Sequence, residues 1–360
     1  MVLTGHIEKK KGKFQVVLEY GIDGNGKRIR KYKTFDKESE AKKYLIQMLA
    51  NEGKFIPLNE FLDRWLEEYA KNYVAPKTYI KYKDSLKHVR KAFPSHTLQQ
   101  LNTFELQKFF NQLSQTLSQA SVRKIYSVLN NALKTAIKWN MLKENPLEFV
   151  KLPQKYEEKK IKVWDIETVK KFLEDIKDEK IHTAVTLALH AGLRAGEICG
   201  LTWDNVDFEK KCIHIKQALQ KIGKEIIIKP PKSKTSIRTI YMTSYLYETL
   251  LEEYKRQEPL REAYKKLGNF VCIHETGNPF CPDYFTHTFK KLVSCLGYPE
   301  IRFHDLRHTF ATILLQAQTN PKIAAEILGH SNTKLFLNLY AHVLDEQKIK
   351  ATHKIEEILG

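Results

Sequence analysis

From residue 58 onward, apolar side chains recur every three or four positions. Leu58, Phe61, Leu62, Trp65, Leu66 and Tyr69 make one stripe, and this spacing predicts an amphipathic helix. A second helix is expected after Pro76, with Tyr79, Tyr82, Leu86, Val89 and Phe93 on its inner face. Two more fit residues 104–115 (Leu106, Phe109, Phe110, Leu113) and 119–140 (Val122, Ile125, Tyr126, Leu129, Leu133, Ala136, Trp139). Together they predict a four-helix module over 56–150, whose aromatic residues read as core rather than as stacking platforms.

The flanking regions have other periods. Residues 13–20 (KFQVVLEY) and 28–35 (RIRKYKTF) are β-prone and flank the glycine-rich GIDGNGK, which predicts a strand pair joined by a turn. Asp36 is expected to cap a following helix with Glu38 and Glu40 in its first turn and Gly53 near its end. Residues 145–163 carry two prolines, dense charge and no periodic apolar face, so they read as a linker. A mixed domain follows. Helices are expected over 165–176, 181–192, 283–296, 305–318, 321–329, 333–341 and 344–358, and strands over 212–218, 224–229 and 237–242. The lysine-loaded turn PPKSKTS separates the last two strands.

Charge narrows the possible partners. Lys and Arg exceed Asp and Glu by 18, and the first 155 residues hold +14 of that surplus, which suits a polyanion such as nucleic acid. On the second helix Lys77, Lys81, Lys83, Lys87, Arg90 and Lys91 crowd the positions outside the apolar face, as a phosphate-binding surface would require. Arg28, Arg30, Lys31 and Lys33 make the second amino-terminal strand a further candidate contact. No apolar run approaches the ~18 residues of a membrane span, and MVLTGHIEKKKGK lacks the apolar segment of a signal peptide, so a cytoplasmic protein without membrane contact is expected. Five cysteines without a C-x-x-C pair indicate neither a disulfide framework nor a zinc cluster, and buried reduced thiols are expected.

Four clusters in the mixed domain concentrate groups suited to a phosphodiester: Arg194 with Glu197, Lys232 with Lys234, His304 with Arg307, and His330 with Tyr340. Arg194 and Glu197 are three apart, so the carboxylate can hold the next helical turn or a neighbouring arginine. His304 and Arg307, also three apart, can reach one anion, the arginine by its fork.

In this order, the strings GLRAGEICGL, PKSKTSIRTI, HDLRHTFAT, ILGHSNT and LYAHV resemble the tyrosine recombinase family, the phage and conjugative-transposon integrases. The resemblance spans essentially the whole chain. It implies a multidomain, mainly α protein: an arm-type DNA-binding domain over 1–55 (three-stranded sheet plus helix), a helical SAM-like core-binding domain over 56–150, a linker over 151–163, a mixed α+β catalytic domain over 164–343, and a helical tail over 344–360 that packs on its own domain or on a neighbouring subunit.

The resemblance makes Tyr340 the nucleophile, leaving a 3'-phosphotyrosyl link and a free 5'-hydroxyl. Arg194 and Arg307 would stabilise the phosphorane, and His304 and His330 would donate to its oxygens or take the phenol proton. Lys232, on a β-hairpin tip, would protonate the departing 5'-oxygen, with Lys234 the alternative; Glu197 and Asp305 would play supporting parts. Phe336 departs from the small hydroxylic residue that relatives often carry there. No metal and no nucleotide cofactor are implied. The implied partners are double-stranded DNA at core and arm attachment sites and three further copies of the chain in a tetramer, with room for a directionality factor and a host DNA-bending protein. Two other readings stay open: a topoisomerase or simple resolvase with the same chemistry, disfavoured by the amino-terminal basic sheet, and a DNA-binding regulator that does not cleave, disfavoured by the six filled catalytic positions.

Overall fold

The computed structural model describes residues 4–10, 12–22, 28–50, 56–154, 162–223, 225–230 and 237–329, with 352, 353, 356 and 357. The chain divides into two units, Met1–Glu157 and Glu158–Gly360.

Three antiparallel strands open the first unit, β1 (Thr4–Lys10), β2 (Lys13–Ile22) and β3 (Arg28–Phe35), in the order β1-β2-β3. Gly12 takes φ +80° in the first turn, a conformation open to glycine at no steric cost. Helix α1 (Glu38–Ala50) follows, and Val16, Leu18 and Ala41 are buried in the core of this part. Asp36 is not the cap. The first helical bond runs from the Ala41 amide to the Lys37 carbonyl, so Lys37 holds that position, and the Asp36 carboxylate pairs with Lys13 Nζ at 2.8 Å. Residues 23–27 and Gly53 lie outside the described residues.

Helix α2 (Leu58–Arg64), a π-helical turn (Trp65–Ala70) and α3 (Lys71–Tyr73) run on in helical conformation, followed by α4 (Pro76–Ala92), α5 (Thr103–Thr116) and α6 (Gln119–Lys138). Their boundaries have local causes. Pro76 occupies the first turn of α4, where a missing N–H costs nothing, and the Asn102 and Ser118 side chains accept from the Glu105 and Ser121 amides. Phe61, Trp65, Leu86, Phe110 and Leu129 are fully buried, and the Trp65 indole N–H donates to Thr135 Oγ1 at 3.1 Å. The expected linker begins later than 145. Leu147 and Val150 are buried in the helical core, and the Lys151 backbone exchanges two hydrogen bonds with the Gln107 side chain.

The second unit opens with α7 (Ile166–Asp175), α8 (His182–Ala191) and α9 (Ala195–Gly200). Helix α8 is its central element, buried at every residue from Thr183 to Leu189. Strands β4 (Val206–Asp207), β5 (Cys212–Ile215), β6 (Ala218–Ile222), β7 (Glu225–Lys229) and β8 (Arg238–Tyr241) make two sheets, β4-β5-β8 and β6-β7. Helices α10 (Ser244–Arg256), α11 (Arg261–Lys266), α12 (Pro282–Cys295), α13 (Asp305–Gln316) and α14 (Pro321–Leu328) complete the described part.

Three expectations are corrected here. The strand over 212–218 is two strands, because Gln217 donates to the Gly200 carbonyl at 2.8 Å and the chain leaves one sheet for the other. Strands β7 and β8 do not pair with each other: β7 pairs with β6 and β8 with β5, and residues 231–236, on which the expected lysine-bearing hairpin tip falls, lie outside the described residues. Helix α10, begun by the Thr243 side chain accepting from the Leu246 amide, was not expected. Of the cysteines, Cys199, Cys212 and Cys272 are buried, whereas Cys281 is half-buried and Cys295 exposed. No helix among the described residues is long and apolar enough to cross a membrane.

Candidate active site

Helix α8 ends where Gly192 turns left-handed at φ +62°; a Cβ there would meet the Phe310 ring at 2.5 Å, so the position demands glycine. Two residues on, Arg194 flanks the start of α9, and the Glu197 carboxylate reaches back to its backbone N–H at 3.0 Å and its Nη1 at 2.8 Å. Helix α9 lies flush on β6, since a Cβ on Gly196 would stand 2.9 Å from the Leu219 carbonyl. Arg238, first residue of β8, donates through Nη1 and Nη2 to the two oxygens of Glu197 at 3.2 and 2.9 Å. The carboxylate is 4% exposed. Burial alone would push its pKa up, but the hydrogen bonds and charge of Arg238, joined by Arg194, hold it down to about 2.

Three arginines from three elements converge on the last carbonyls of α14. Arg238 Nε donates to Ile327 at 2.6 Å, Arg307 Nη2 to Leu328 at 2.5 Å, and Arg194 Nη2 to Gly329 at 3.2 Å. These carbonyls have no partner within the helix and form the negative end of its dipole, so cations are stabilising there. Arg307, 3% exposed, also donates through Nη1 to the Gly192 carbonyl at 2.6 Å. Gly329 closes α14 at φ +64°, and a Cβ on it would lie 3.1 Å from Arg238 Nη1. His330 is the next residue of the chain.

His304 stands immediately before α13, with its ring edge-on to His308 at 5.3 Å between centroids. The protein packed round the ring, and then the His308, Arg307 and Arg194 charges, pull its pKa down to about 4 against the opposing pull of Asp305, so the imidazole is neutral at pH 7. Asp305 is buried and accepts from the Arg302 backbone N–H at 2.8 Å and from its guanidinium at 2.7 and 3.0 Å. Arg194 commits two of its five guanidinium N–H groups to these protein partners and keeps 37% of its side chain open, which leaves donors for an anion beside a neutral imidazole.

The structure thus brings Arg194, Glu197, His304 and Arg307 into one neighbourhood. Lys232, Lys234, His330, Phe336 and Tyr340 lie outside the described residues, as does the tail apart from four helical positions that include His353. Arg238 was missed as a site residue. Its signal was the alternation of β8, in which Arg238 shares the inward side with the buried Ile240. One trio of potential metal ligands converges among the described residues, Asp207, Cys212 and His214, and two of its members already bond the Lys210 amide and the Thr239 hydroxyl.

The candidate DNA contacts divide. On α4, Lys77, Lys81, Lys83, Lys87 and Lys91 are exposed, whereas Arg90 is half-buried and paired with Asp63 at 2.7 Å. Lys87 pairs with Asp84 at 2.8 Å, and Lys83 sits over the Tyr79 ring. On β3, Arg28, Arg30, Lys31 and Lys33 do not share one face. Lys31 and Lys33 sit opposite the buried Leu18 and Val16, and Lys33 lies 4.4 Å from the Tyr44 ring of α1; Arg30 is on the other side, paired with Glu19.

Comparisons with known proteins agree along the chain. Residues 162–347 match the phage integrase family, residues 58–114 its N-terminal SAM-like domain, and residues 6–51 the arm DNA-binding domain. A tyrosine recombinase XerC-like protein of Caldanaerobacter subterraneus is 30% identical over 99% of this chain and 98% of its own length. The ICEBs1 integrase of Bacillus subtilis is 26% identical over 97% and 98%. The fold is that of the Tn1549 transposon integrase solved with a circular intermediate DNA (TM-score 0.71, 23% identity, 83% of this chain and 99% of that one). It is also that of the lambda integrase solved as a tetramer on a Holliday junction (TM-score 0.61, 19% identity, 91% and 96%).

Proposed function

Because the chain belongs to the phage integrase family, the tyrosine recombinases that break and rejoin DNA, we propose that it integrates and excises a mobile element through a 3'-phosphotyrosine made by Tyr340. The observation that carries this is the convergence of Arg194 and Arg307 at the end of α14, with His304 near enough to feel both charges; α14 leads in sequence through Gly329 into His330 and on to Tyr340.

Tyr340 Oη attacks the scissile phosphorus, a P–O bond to tyrosine forms, and the P–O5' bond breaks. Charge on the nonbridging oxygens is met by Arg194 and Arg307, held in place before substrate arrives, so little reorganisation opposes the step. His304 and His330 donate to the same oxygens or accept the phenol proton. A bound phosphodiester offsets part of the cationic repulsion on His304 and moves its pKa back toward neutrality, where proton transfer is efficient. Lys232, or Lys234, supplies the proton to the departing 5'-oxygen. Attack by a 5'-hydroxyl of another duplex reverses each bond change, so no nucleotide cofactor is consumed.

The reading assigns residues 1–55 to arm sites, 56–150 to the core site, 164–343 to catalysis and 344–360 to packing within or between subunits, with four copies acting on two duplexes. The lambda integrase tetramer on a Holliday junction and the match of residues 6–51 to an arm DNA-binding domain support it. A directionality factor and a host bending protein fit the same scheme. The test is covalent trapping on nicked suicide duplexes taken from the ends of the element. A protein–DNA adduct on a denaturing gel is expected from the native chain and not from Tyr340→Phe; tight binding without an adduct on any end sequence would leave the non-cleaving regulator as the better reading.

A further inference from the structure

The geometry points to Arg238 as a positioning residue of the recombination site, a guanidinium that locks Arg194 and the end of α14 to each other and to the strand that follows the lysine segment. The inference rests on the function proposed above and adds a residue outside its six catalytic positions.

Among the described residues, this guanidinium holds three acceptor atoms. Its two terminal nitrogens hold both oxygens of Glu197, and Nε holds the Ile327 carbonyl at 2.6 Å. Glu197 in turn holds Arg194 by side chain and backbone. Arg238 is also the first residue of β8, two positions beyond the segment that carries Lys232 and Lys234. Gly329 permits the approach, because a side chain there would crowd Arg238 Nη1. The groups proposed to work on one phosphate therefore come from four distant segments, and Arg238 touches or adjoins three of them, all but the start of α13. With a side chain only 7% exposed, it does not act as a surface charge that attracts DNA.

Two functions of the guanidinium can be separated. Its charge keeps Glu197 ionised against burial. Its planar fork fixes direction, which an ammonium cannot reproduce on two oxygens and a carbonyl together. Loss of the charge lets Glu197 take up a proton at higher pH, and a protonated Glu197 loses an acceptor for Arg194. Loss of the fork alone leaves Glu197 ionised but Arg194 and α14 unaligned.

The experiment uses the full chain on a nicked suicide duplex, with single-turnover cleavage rate and DNA affinity measured separately between pH 5 and 9. For Arg238→Gln the cleavage rate is expected to fall about a hundredfold, as misplacement of a reacting group by about 1 Å allows, with affinity within about twofold. Its rate should also fall further as pH drops, on an acid limb additional to any that the native chain shows. Arg238→Lys should lose rate without gaining that limb. Rate losses with unchanged pH profiles in both variants, or equal losses in affinity and rate, would reduce Arg238 to a general stabiliser and overturn the inference. If the native chain itself yields no adduct, the recombinase reading fails instead. The anchor is then read from the carboxyl titration of Glu197 by NMR, and the same low pKa in Arg238→Gln as in the native chain overturns it.

Discussion

Arg307 donates to the Gly192 carbonyl at 2.6 Å while its other terminal nitrogen holds Leu328, so one buried guanidinium ties the end of α8 to the end of α14. These ends carry the carbonyls that helices cannot satisfy internally, and in a buried site no water is at hand to replace the donor. Arg307→Ala strands two carbonyls at roughly 1–3 kcal/mol each and is expected to cost about 2–6 kcal/mol, enough to unfold part of the population at 37 °C. Arg307→Lys keeps a charge but can aim at only one carbonyl well. It should stay folded and lose about a hundredfold in cleavage with little change in DNA affinity. Urea denaturation beside adduct formation separates the two effects, and a lysine variant that cleaves at the native rate would dismiss the fork.

Acid should weaken the catalytic unit in two windows. The folded pKa of His304, about 4, lies below the ordinary 6.5, so the unfolded chain binds the proton first and stability is lost as pH falls from about 6.5 to about 4. Glu197, at about 2 when folded against 4.5, contributes stability that is full above 4.5 and lost as pH falls from there toward 2. For this buried carboxylate the contribution is about 3 kcal/mol. Melting temperature against pH should therefore slope down below 6.5 and steepen below 4.5. His304→Gln should flatten the upper limb alone; an unchanged upper limb in that variant would assign it to another group.

The helices of the core-binding module were readable because a single amphipathic face dictates their spacing, and Leu58, Leu86, Leu106 and Leu129 all lie in the core that the pattern required. Strand partners were not, because alternation says which way a side chain points and nothing about which strand lies alongside; β7 and β8 looked like a hairpin and belong to different sheets. Arg194, Glu197, His304 and Arg307 were legible from their motifs. Arg238 was not, since a charge in a strand reads as exposed until its partner is known, and Glu197 is 41 residues away. Helix α10 escaped because Tyr245, Tyr247 and Tyr254 blur the periodicity carried by Leu246, Thr249 and Leu250.

Gly196→Ala tests the contact between α9 and β6. The new methyl would stand 2.9 Å from the Leu219 carbonyl, and backbone cannot swing aside as a flexible side chain can. Overpacking of this kind costs roughly 1–3 kcal/mol. A fall of several degrees in melting temperature is expected, with a larger effect on cleavage than on DNA affinity, because α9 carries Glu197. Gly12→Ala serves as the contrast: its Cβ meets nothing within 4 Å, so only the strain of φ +80° remains. Gly196 has no positive φ to strain, so if Gly196→Ala melts like the native chain, the flush packing contributes nothing.

The cations of α4 should divide into those that meet phosphate and one that holds the fold. Each phosphate contact releases counterions and adds about 0.9 to the slope of log affinity against log salt concentration. Lys77, Lys81 and Lys91 are exposed, so replacing any one of them by Gln should weaken binding at low salt and lower that slope by about one if its ammonium sits on the backbone. Arg90 is different. Its guanidinium is half-buried, bonded to the Asn59 carbonyl at 3.3 Å and paired with Asp63, and it fastens α4 to α2. Arg90→Gln should therefore leave the salt slope unchanged and lower the melting temperature instead. Fluorescence anisotropy on a core-site duplex between 50 and 300 mM salt reads both. A reduced slope in Arg90→Gln, with unaltered melting, would move Arg90 to the DNA surface and leave Asp63 as the residue it releases on binding.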